Sequence, residues 1–396
     1  MKSLNEQLEI IKRGTVKISE LSELESKLKK NKPLRIKHGV DPTSADLHLG
    51  HSVPLRKLRQ FQDLGHHVIL LIGSYTAQVG DPSGRNKTRP QLTEEEVIKH
   101  AEHYLEQAGK ILDLSKLEVR YNGEWFKKMN FMDVIRLLAK TTVARTLERE
   151  DFKARIDEKT PIYLHEIVYP LMQGYDSVML ECDVEVGGSD QTFNLMVGRD
   201  LQREADQEPQ ICLTLPILEG LDGTRKMSKS YGNYVGISEA PQVMFGKIMS
   251  ISDELMWSYY ELLTSIDLDK LKKMKTDVES GAFHPMEAKK QLACTIISNY
   301  YPEEEALAAR AEFEKIFSQK EIPTDISEVK IGTEELDLAQ FLFEQKICSS
   351  KSEARRMIQQ GGVSVDGEKI STISYKLEKD FVILKAGKKS FIKIIK

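Results

Sequence analysis

The chain has 396 residues, a formal net charge of −4, 40% hydrophobic and 30% charged residues. That length holds two or three domains and excludes a single small module, and the composition, without any low-complexity tract, is that of a soluble globular protein. No apolar run reaches membrane-spanning length and the N-terminus, Met1 to Ile10, is too charged for a signal peptide, so a cytoplasmic protein without a membrane partner is expected. Cys182, Cys212, Cys294 and Cys348 lie far apart in no metal-ligand spacing, which reads as reduced thiols and no tightly bound protein-liganded metal.

Residues up to about Asn31 read as two short amphipathic helices, with Leu4, Leu8 and Ile11 on one stripe. Leu34 to Val40 alternates as a strand, Asp41-Pro42-Thr43-Ser44 carries a turn signal, and apolar residues then recur at Leu55, Leu58, Phe61 and Leu64. Strand, tight turn and helix are therefore expected in succession. Pro54 is expected in the first turn of that helix and Gly65 at its end. His48, Gly50 and His51 then crowd a helix N-terminus, where backbone N–H groups lack partners and the macrodipole is positive, which suits a phosphate. Two imidazoles add donors, and Gly50 lets a flat ring approach the backbone. The same histidines equally suit a helix cap, and the motif alone leaves both readings open.

His67 to Gly73 is a continuous apolar run, as in a parallel strand buried on both faces. Strand, helix and strand together predict an α/β fold with a Rossmann-like doubly wound parallel sheet and ligand at the carboxyl ends of its strands. Asp81 follows the second strand, where it either faces the ligand or caps a turn at Ser83 or Gly84. Between Pro90 and Arg155 the pattern is mostly helical, with one strand at Leu117 to Tyr121 and no evident chemistry. Tyr169, Gln173 and Asp176 fall on one helical face. They sit among Val168, Leu171, Met172, Val178, Met179 and Leu180, so they are expected to line a buried polar pocket rather than face water. Asp183 to Val186 reads as a strand, after which Gly187-Gly188-Ser189-Asp190-Gln191 opens a helix at a second ligand-edge turn.

Ile211 to Leu215 reads as a further strand. The polar loop Asp222 to Ser230 follows, in which Lys226 and Lys229 either close over a triphosphate or lie on an ordinary basic surface. Ser238 to Ser318 has helical periodicity, and Ile322 to Thr333 is the best linker candidate. From Leu338 onward there are 12 Lys/Arg against 6 Asp/Glu, so the tail suits a polyanion partner or a solvated lysine surface. Ser350-Lys351-Ser352-Glu353 is a capping box ahead of a helix, Gly361-Gly362 stops it, and Asp366-Gly367 marks a hairpin. Lys346, Lys351, Arg355 and Arg356 would cluster on one side, as a binder of a phosphate backbone needs.

Together these pieces resemble the class I aminoacyl-tRNA synthetases, with His48-Leu49-Gly50-His51 matching the first signature and Lys226-Met227-Ser228-Lys229-Ser230 the second. The resemblance covers nearly the whole chain. It implies a catalytic domain over residues 1–235, an α-helical anticodon-side domain over 236–321, a linker over 322–335 and a small α+β S4-like RNA-binding domain over 336–396. Within the class, Asp81, Tyr169, Gln173, Asp176 and the Gly187 to Gln191 turn resemble the tyrosyl-tRNA synthetase pocket. By that resemblance Asp81, Tyr169 and Gln173 hold the substrate ammonium, with Thr76 in the same region. Asp176 takes the phenol O–H, and Gln191 lies near the carboxylate and the reacting phosphate. Asp41 and Thr43 match positions that line the nucleotide, Gly188 and Asp190 match ribose contacts, and His48, Gly50, His51, Lys226, Met227, Ser228 and Lys229 match the ATP-binding signatures. Implied partners are L-tyrosine, ATP with its Mg²⁺, tRNA(Tyr) and a second copy of the chain as a homodimer.

Two positions depart from that pattern. Many relatives carry a tyrosine four residues before the aspartate of the Asp-Pro-Thr turn, and here Lys37 stands there; glutamine is frequent where this chain has Glu185. A tryptophanyl-type enzyme shares the scaffold, but the Gln173/Asp176 face and the S4-like tail argue against it. A tRNA-free ligase or nucleotidyltransferase of the same superfamily would lack the basic tail, and a non-enzymatic RNA-binding relative would have lost signature residues that are all present.

Overall fold

A computed structural model describes residues 2–42, 46–81, 92–318, 327–331, 335–345, 347–348, 350–377, 379, 381–387 and 390–396. The chain divides into two compact units, 1–310 and 311–396. The first is built on a six-stranded sheet of β1 (Lys17–Ile18), β2 (Arg35–Val40), β3 (His67–Ile72), β4 (Leu117–Tyr121), β5 (Val184–Gly188) and β6 (Ile211–Leu215). The spatial order is β1-β6-β5-β2-β3-β4. β2 to β6 pair in parallel, and β1 closes one edge antiparallel to β6. That edge strand lies between the two predicted N-terminal helices, now Leu4–Lys12 and Leu21–Lys29.

Why the sheet is doubly wound follows from its strands. Val68 to Ile72 are all buried, as are Ile211 to Leu215, so helices must cover both faces. From β2 the chain steps outward through β3 to β4, then returns to the other side of β2 to lay down β5 and β6. β2 and β5 therefore border the topological switch point, where the carboxyl ends of the strands open a crevice. Helix Leu49–Asp63 follows β2 and buries Leu55, Leu58 and Phe61, each contributing roughly 1.5–3 kcal/mol. Pro54 lies in the second turn of this helix rather than the first, because the helix already begins at Leu49. Its ring nitrogen withholds the hydrogen bond that the Gly50 carbonyl would receive.

After β6, helices Pro241–Met249, Leu255–Leu263, Leu268–Glu279, Pro285–Ile297 and Glu303–Ser318 bear out the helical periodicity. The second unit packs helices Leu338–Glu344 and Lys351–Gln359 with a five-stranded sheet. Its core includes Leu338, Leu342, Ala354, Ile358, Val363, Leu384 and Ile394. Asp366 and Gly367 both have positive φ, 49° and 88°, as the tight hairpin turn requires. Part of the stretch read as a linker instead forms β-strands: Ser327–Lys330 pairs in parallel with Ser390–Ile395, and Glu335–Asp337 pairs with Ser374–Lys376. Among the described residues, no helix is long and apolar enough to cross a membrane.

Candidate active site

A cavity of about 320 Å³ opens at the carboxyl ends of β2 and β5, a size suited to a small molecule. It is lined by Asp41, Gly50, His51, Thr76, Asp81, Tyr169, Gln173, Asp176, Gly188 and Gln191, all singled out in the sequence. Thr43 lies outside the described residues, as do the Ser83 and Gly84 turn partners weighed for Asp81.

The helix N-terminus at His48 differs from the expectation in one respect that changes its chemistry. The Leu49 N–H donates to the Val235 carbonyl at 3.0 Å, the His51 N–H to the His48 carbonyl at 2.8 Å, and the Gly50 N–H to His48 Nδ1 at 3.2 Å. The backbone donors expected to be open to a phosphate are thus already engaged. The His48 N–H in turn donates to His51 Nδ1 at 3.2 Å, a reciprocal cap. Because both Nδ1 atoms accept, each neutral ring carries its proton on Nε2 and keeps one donor for a ligand. Burial, with His51 and Lys229 nearby, pulls His48 down to about 3, and burial with Lys229 and His38 pulls His51 down to about 4. Both are neutral at physiological pH, so they act as hydrogen-bond donors and not as cations.

The cationic charge comes from the second motif. The backbone of Val235 to Ile237 runs beside Leu47 to Leu49, with a bridge between His48 and Gly236. This brings the loop before it to the same site: Met227 is buried, its N–H bound to the Leu218 carbonyl, and its Cβ lies 3.7 Å from where a Gly50 Cβ would stand. Ser228 donates its N–H to Asn233 Oδ1 at 2.9 Å. Lys229 Nζ reaches Asp46 Oδ2 at 2.7 Å. Lys226 is exposed and is not among the residues that line the cavity, and its charge opposes the upward push that desolvation and Asp81 give the Asp190 carboxyl.

The polar stripe folds as expected, on helix Leu164–Met179. Tyr169 Oη and Thr76 Oγ1 both donate to Asp41, each at 2.8 Å, so Asp41 is bound to two residues assigned to the amino-acid side. Their approach requires Gly73, since a Cβ there would stand 1.9 Å from Asp41 Oδ1. Gln191 Nε2 donates to Asp81 Oδ2 at 3.1 Å, and Asn194 Nδ2 joins Gln191 Oε1 to Gln173 Oε1 at 2.9 and 3.0 Å. Asp176 is buried, 3% exposed, and accepts from Trp125 Nε1 at 2.9 Å and Asn122 Nδ2 at 3.3 Å. Burial pushes its carboxyl up to about 7, against the pull of Lys37, Asn122 and Trp125.

The segment thought to hold no chemistry thus supplies both hydrogen-bond donors to Asp176. A signal existed: Asn122 directly follows β4, and residues at the carboxyl ends of such strands face the crevice. Lys37 and Glu185, the two departures, also line the cavity. In the second unit, Lys351, Arg355 and Arg356 are exposed on helix Lys351–Gln359, whose Ala354 and Ile358 face the core. Ser350 Oγ caps that helix by accepting the Glu353 N–H. Lys346 lies outside the described residues.

Residues 29–318 match the family of class I tRNA synthetases (W and Y), and residues 313–394 match the tyrosine–tRNA ligase SYY-like C-terminal domain. The tyrosine–tRNA ligase of Aquifex aeolicus is 52% identical over 391 residues, covering 98% of both chains. That of Carboxydothermus hydrogenoformans is 53% identical over 403 residues, covering 99% of this chain and 98% of its own. Among solved structures, the Archaeoglobus fulgidus tyrosyl-tRNA synthetase complexed with L-tyrosine superimposes with a TM-score of 0.64 at 25% identity, covering 78% of this chain and all of its own. A C-terminally truncated mitochondrial tyrosyl-tRNA synthetase of Aspergillus nidulans, at 22% identity, TM-score 0.65 and coverage of 80% and 95%, shares the fold.

Proposed function

Because this chain belongs to the family of class I tRNA synthetases (W and Y), we propose that it is a tyrosine–tRNA ligase, activating L-tyrosine with ATP and passing the tyrosyl group to tRNA(Tyr). The observation that carries the amino-acid specificity is Asp176, a buried carboxylate on the cavity wall whose two neutral donors leave lone pairs for a phenol O–H. Phenylalanine would leave that acceptor unpaired, which is costly in a dry pocket.

The tyrosine carboxylate is ionised at neutral pH and needs no general base to attack the α-phosphate. Pyrophosphate leaves and tyrosyl-adenylate remains; a ribose hydroxyl of the tRNA's 3′-terminal adenosine then attacks the acyl carbon and AMP departs. Mg²⁺ arrives on the nucleotide. Asp81, Tyr169, Gln173 and Thr76 hold the ammonium, with Asp41 bridging Tyr169 and Thr76 towards the nucleotide side, and Gln191 stands between Asp81 and the reacting carboxylate. Gly188 and Asp190 serve the ribose. Nε2–H of His48 and His51, Thr43 and the ammonium groups of Lys226 and Lys229, with Met227 and Ser228 shaping their loop, meet the phosphates as charge builds on the leaving group. Gly50 keeps the floor beneath the nucleotide flat.

The catalytic domain over 1–235, the anticodon-side helices over 236–321 and the S4-like domain, whose sheet takes in Ser327–Lys330, make up the proposed division of labour, with Lys346, Lys351, Arg355 and Arg356 on the tRNA backbone. Exposed Phe131, Met132, Ile135, Val143, Tyr163 and Leu164 support a self-association surface in a homodimer. Charging of tRNA(Tyr) with radiolabelled tyrosine tests the reading: tyrosyl-tRNA is expected, and stable charging with tryptophan in its place would favour the other branch of the family.

A further inference from the structure

The two residues that depart from the family pattern are each other's partners. Lys37 on β2 and Glu185 on β5 are in register across the parallel pair. Lys37 Nζ lies 3.0 Å from Glu185 Oε1, with the two side chains 0% and 1% exposed. The ammonium has three hydrogens and three acceptors: Glu185, the Gln173 carbonyl at 3.0 Å and Ser177 Oγ at 2.8 Å. Although Lys37 lines the cavity, no hydrogen remains for a ligand, so it does not stand in for a phenol-binding hydroxyl.

Glu185 is equally committed. Its Oε2 accepts from Ser177 Oγ at 2.9 Å and Gln210 Nε2 at 2.6 Å, and its Oε1 accepts from Gln173 Nε2 at 3.2 Å. A carboxylate only accepts, so the Gln173 amide must turn its NH₂ toward Glu185 and its oxygen toward Asn194 and the substrate side. An uncharged amide at 185 would permit either orientation. A lone carboxylate in this position would be costly, and the paired ammonium offsets that cost.

We propose that Lys37 and Glu185 are one positioning unit for the amino-acid site: Glu185 sets which way the Gln173 amide faces, and Lys37 makes a buried carboxylate tenable there. This deepens the tyrosine-activating reading and rests on it. The role differs from a purely structural ion pair, because removing both charges together keeps the core neutral and packed yet frees Gln173.

The experiment is tyrosine-dependent ATP–pyrophosphate exchange with wild type, the Lys37→Met/Glu185→Leu double variant and the Lys37→Met/Glu185→Gln double variant. The first double variant should raise the tyrosine KM about tenfold or more while the ATP KM stays within about twofold. The second, which offers Gln173 an acceptor but also permits the reversed amide, should bring the tyrosine KM only part of the way back, to a value between wild type and the first double variant. A folded Lys37→Met/Glu185→Leu protein with an unchanged tyrosine KM, or with equal rises in both KM values, overturns the proposal. Should that protein not fold, Lys37→Arg carries the test: a selective rise in tyrosine KM supports the unit and an unchanged one overturns it. Absence of tyrosine-dependent exchange in wild type would instead refute the function proposed above.

Discussion

Lys229 Nζ lies 2.7 Å from Asp46 Oδ2, joining the second signature to the turn that leads into the first across 183 positions of sequence. The pair is half-exposed, so it contributes little stability and is easily exchanged for a nucleotide phosphate. Asp46→Asn should therefore change the pyrophosphate-exchange rate by less than about threefold, whereas Lys229→Ala should slow it by about a hundredfold or more. Equal losses in steady-state kinetics would mean that the ion pair, and not the free lysine, matters for the reaction.

Lys226 is exposed, and its charge acts on the Asp190 carboxyl. A group that engages only as the transition state forms affects rate more than binding. In Lys226→Ala the single-turnover rate of adenylate formation should fall far more than tyrosine affinity measured by equilibrium dialysis, and parallel losses would contradict this.

Asp176 makes the site sensitive to pH. Its carboxyl, raised to about 7 by burial, accepts the phenol O–H most strongly when ionised, and on protonation one of its oxygens becomes a donor. Hence kcat/KM for tyrosine should fall as pH drops through about 7, approaching tenfold per unit below it. His48 and His51, titrating at about 3 and about 4, add nothing in that range. For stability, the folded chain keeps a proton that the unfolded chain releases near pH 4, so this contribution is present in full below about 4 and lost as pH rises through about 7. Asp176→Asn should lose most tyrosine activation together with this pH dependence, while ATP binding survives in a nucleotide-displacement assay.

Gly73 gives a steric prediction. A methyl at this position would meet Asp41 Oδ1 at 1.9 Å and Thr76 Oγ1 at 2.3 Å. Gly73→Ala should therefore displace Asp41 and raise the tyrosine KM by at least about tenfold, with the fold retained by circular dichroism.

Lys57 holds the N-terminal helix to the body, donating to the carbonyls of Ile10, Ile11 and Arg13 at 3.0, 3.0 and 2.8 Å. Lys57→Met takes that partner from the Ile10 and Arg13 carbonyls, while the Ile11 carbonyl keeps Thr15 Oγ1 at 2.7 Å. A loss of about 2–4 kcal/mol in urea unfolding is expected, with tyrosine KM unchanged.

These partners show where sequence reasoning ends. The strand and the helix between Leu34 and Leu64 were legible because the apolar period switches locally from two to nearly four, and the Asp366-Gly367 hairpin because its turn chemistry is local; the turn expected between that strand and helix lies partly outside the described residues. The polar stripe was legible because Tyr169, Gln173 and Asp176 share one helical face. What was not legible depends on distant chain: Val235 engages the Leu49 N–H, Asn122 and Trp125 hold Asp176, and Glu185 neutralises Lys37. Ser327–Lys330 escaped because a four-residue edge strand with two charges carries no apolar alternation, and only its pairing with Ser390–Ile395 defines it.

Pyrophosphate exchange into ATP, run with tyrosine, phenylalanine and tryptophan in turn, tests the central claim most directly: that one cavity joins a phosphate-binding corner to a carboxylate that reads a phenol. Exchange that depends on tyrosine, with phenylalanine weaker by orders of magnitude and the preference erased by Asp176→Asn, is the result expected. Exchange supported equally by phenylalanine, or a tyrosine preference intact in Asp176→Asn, would contradict it.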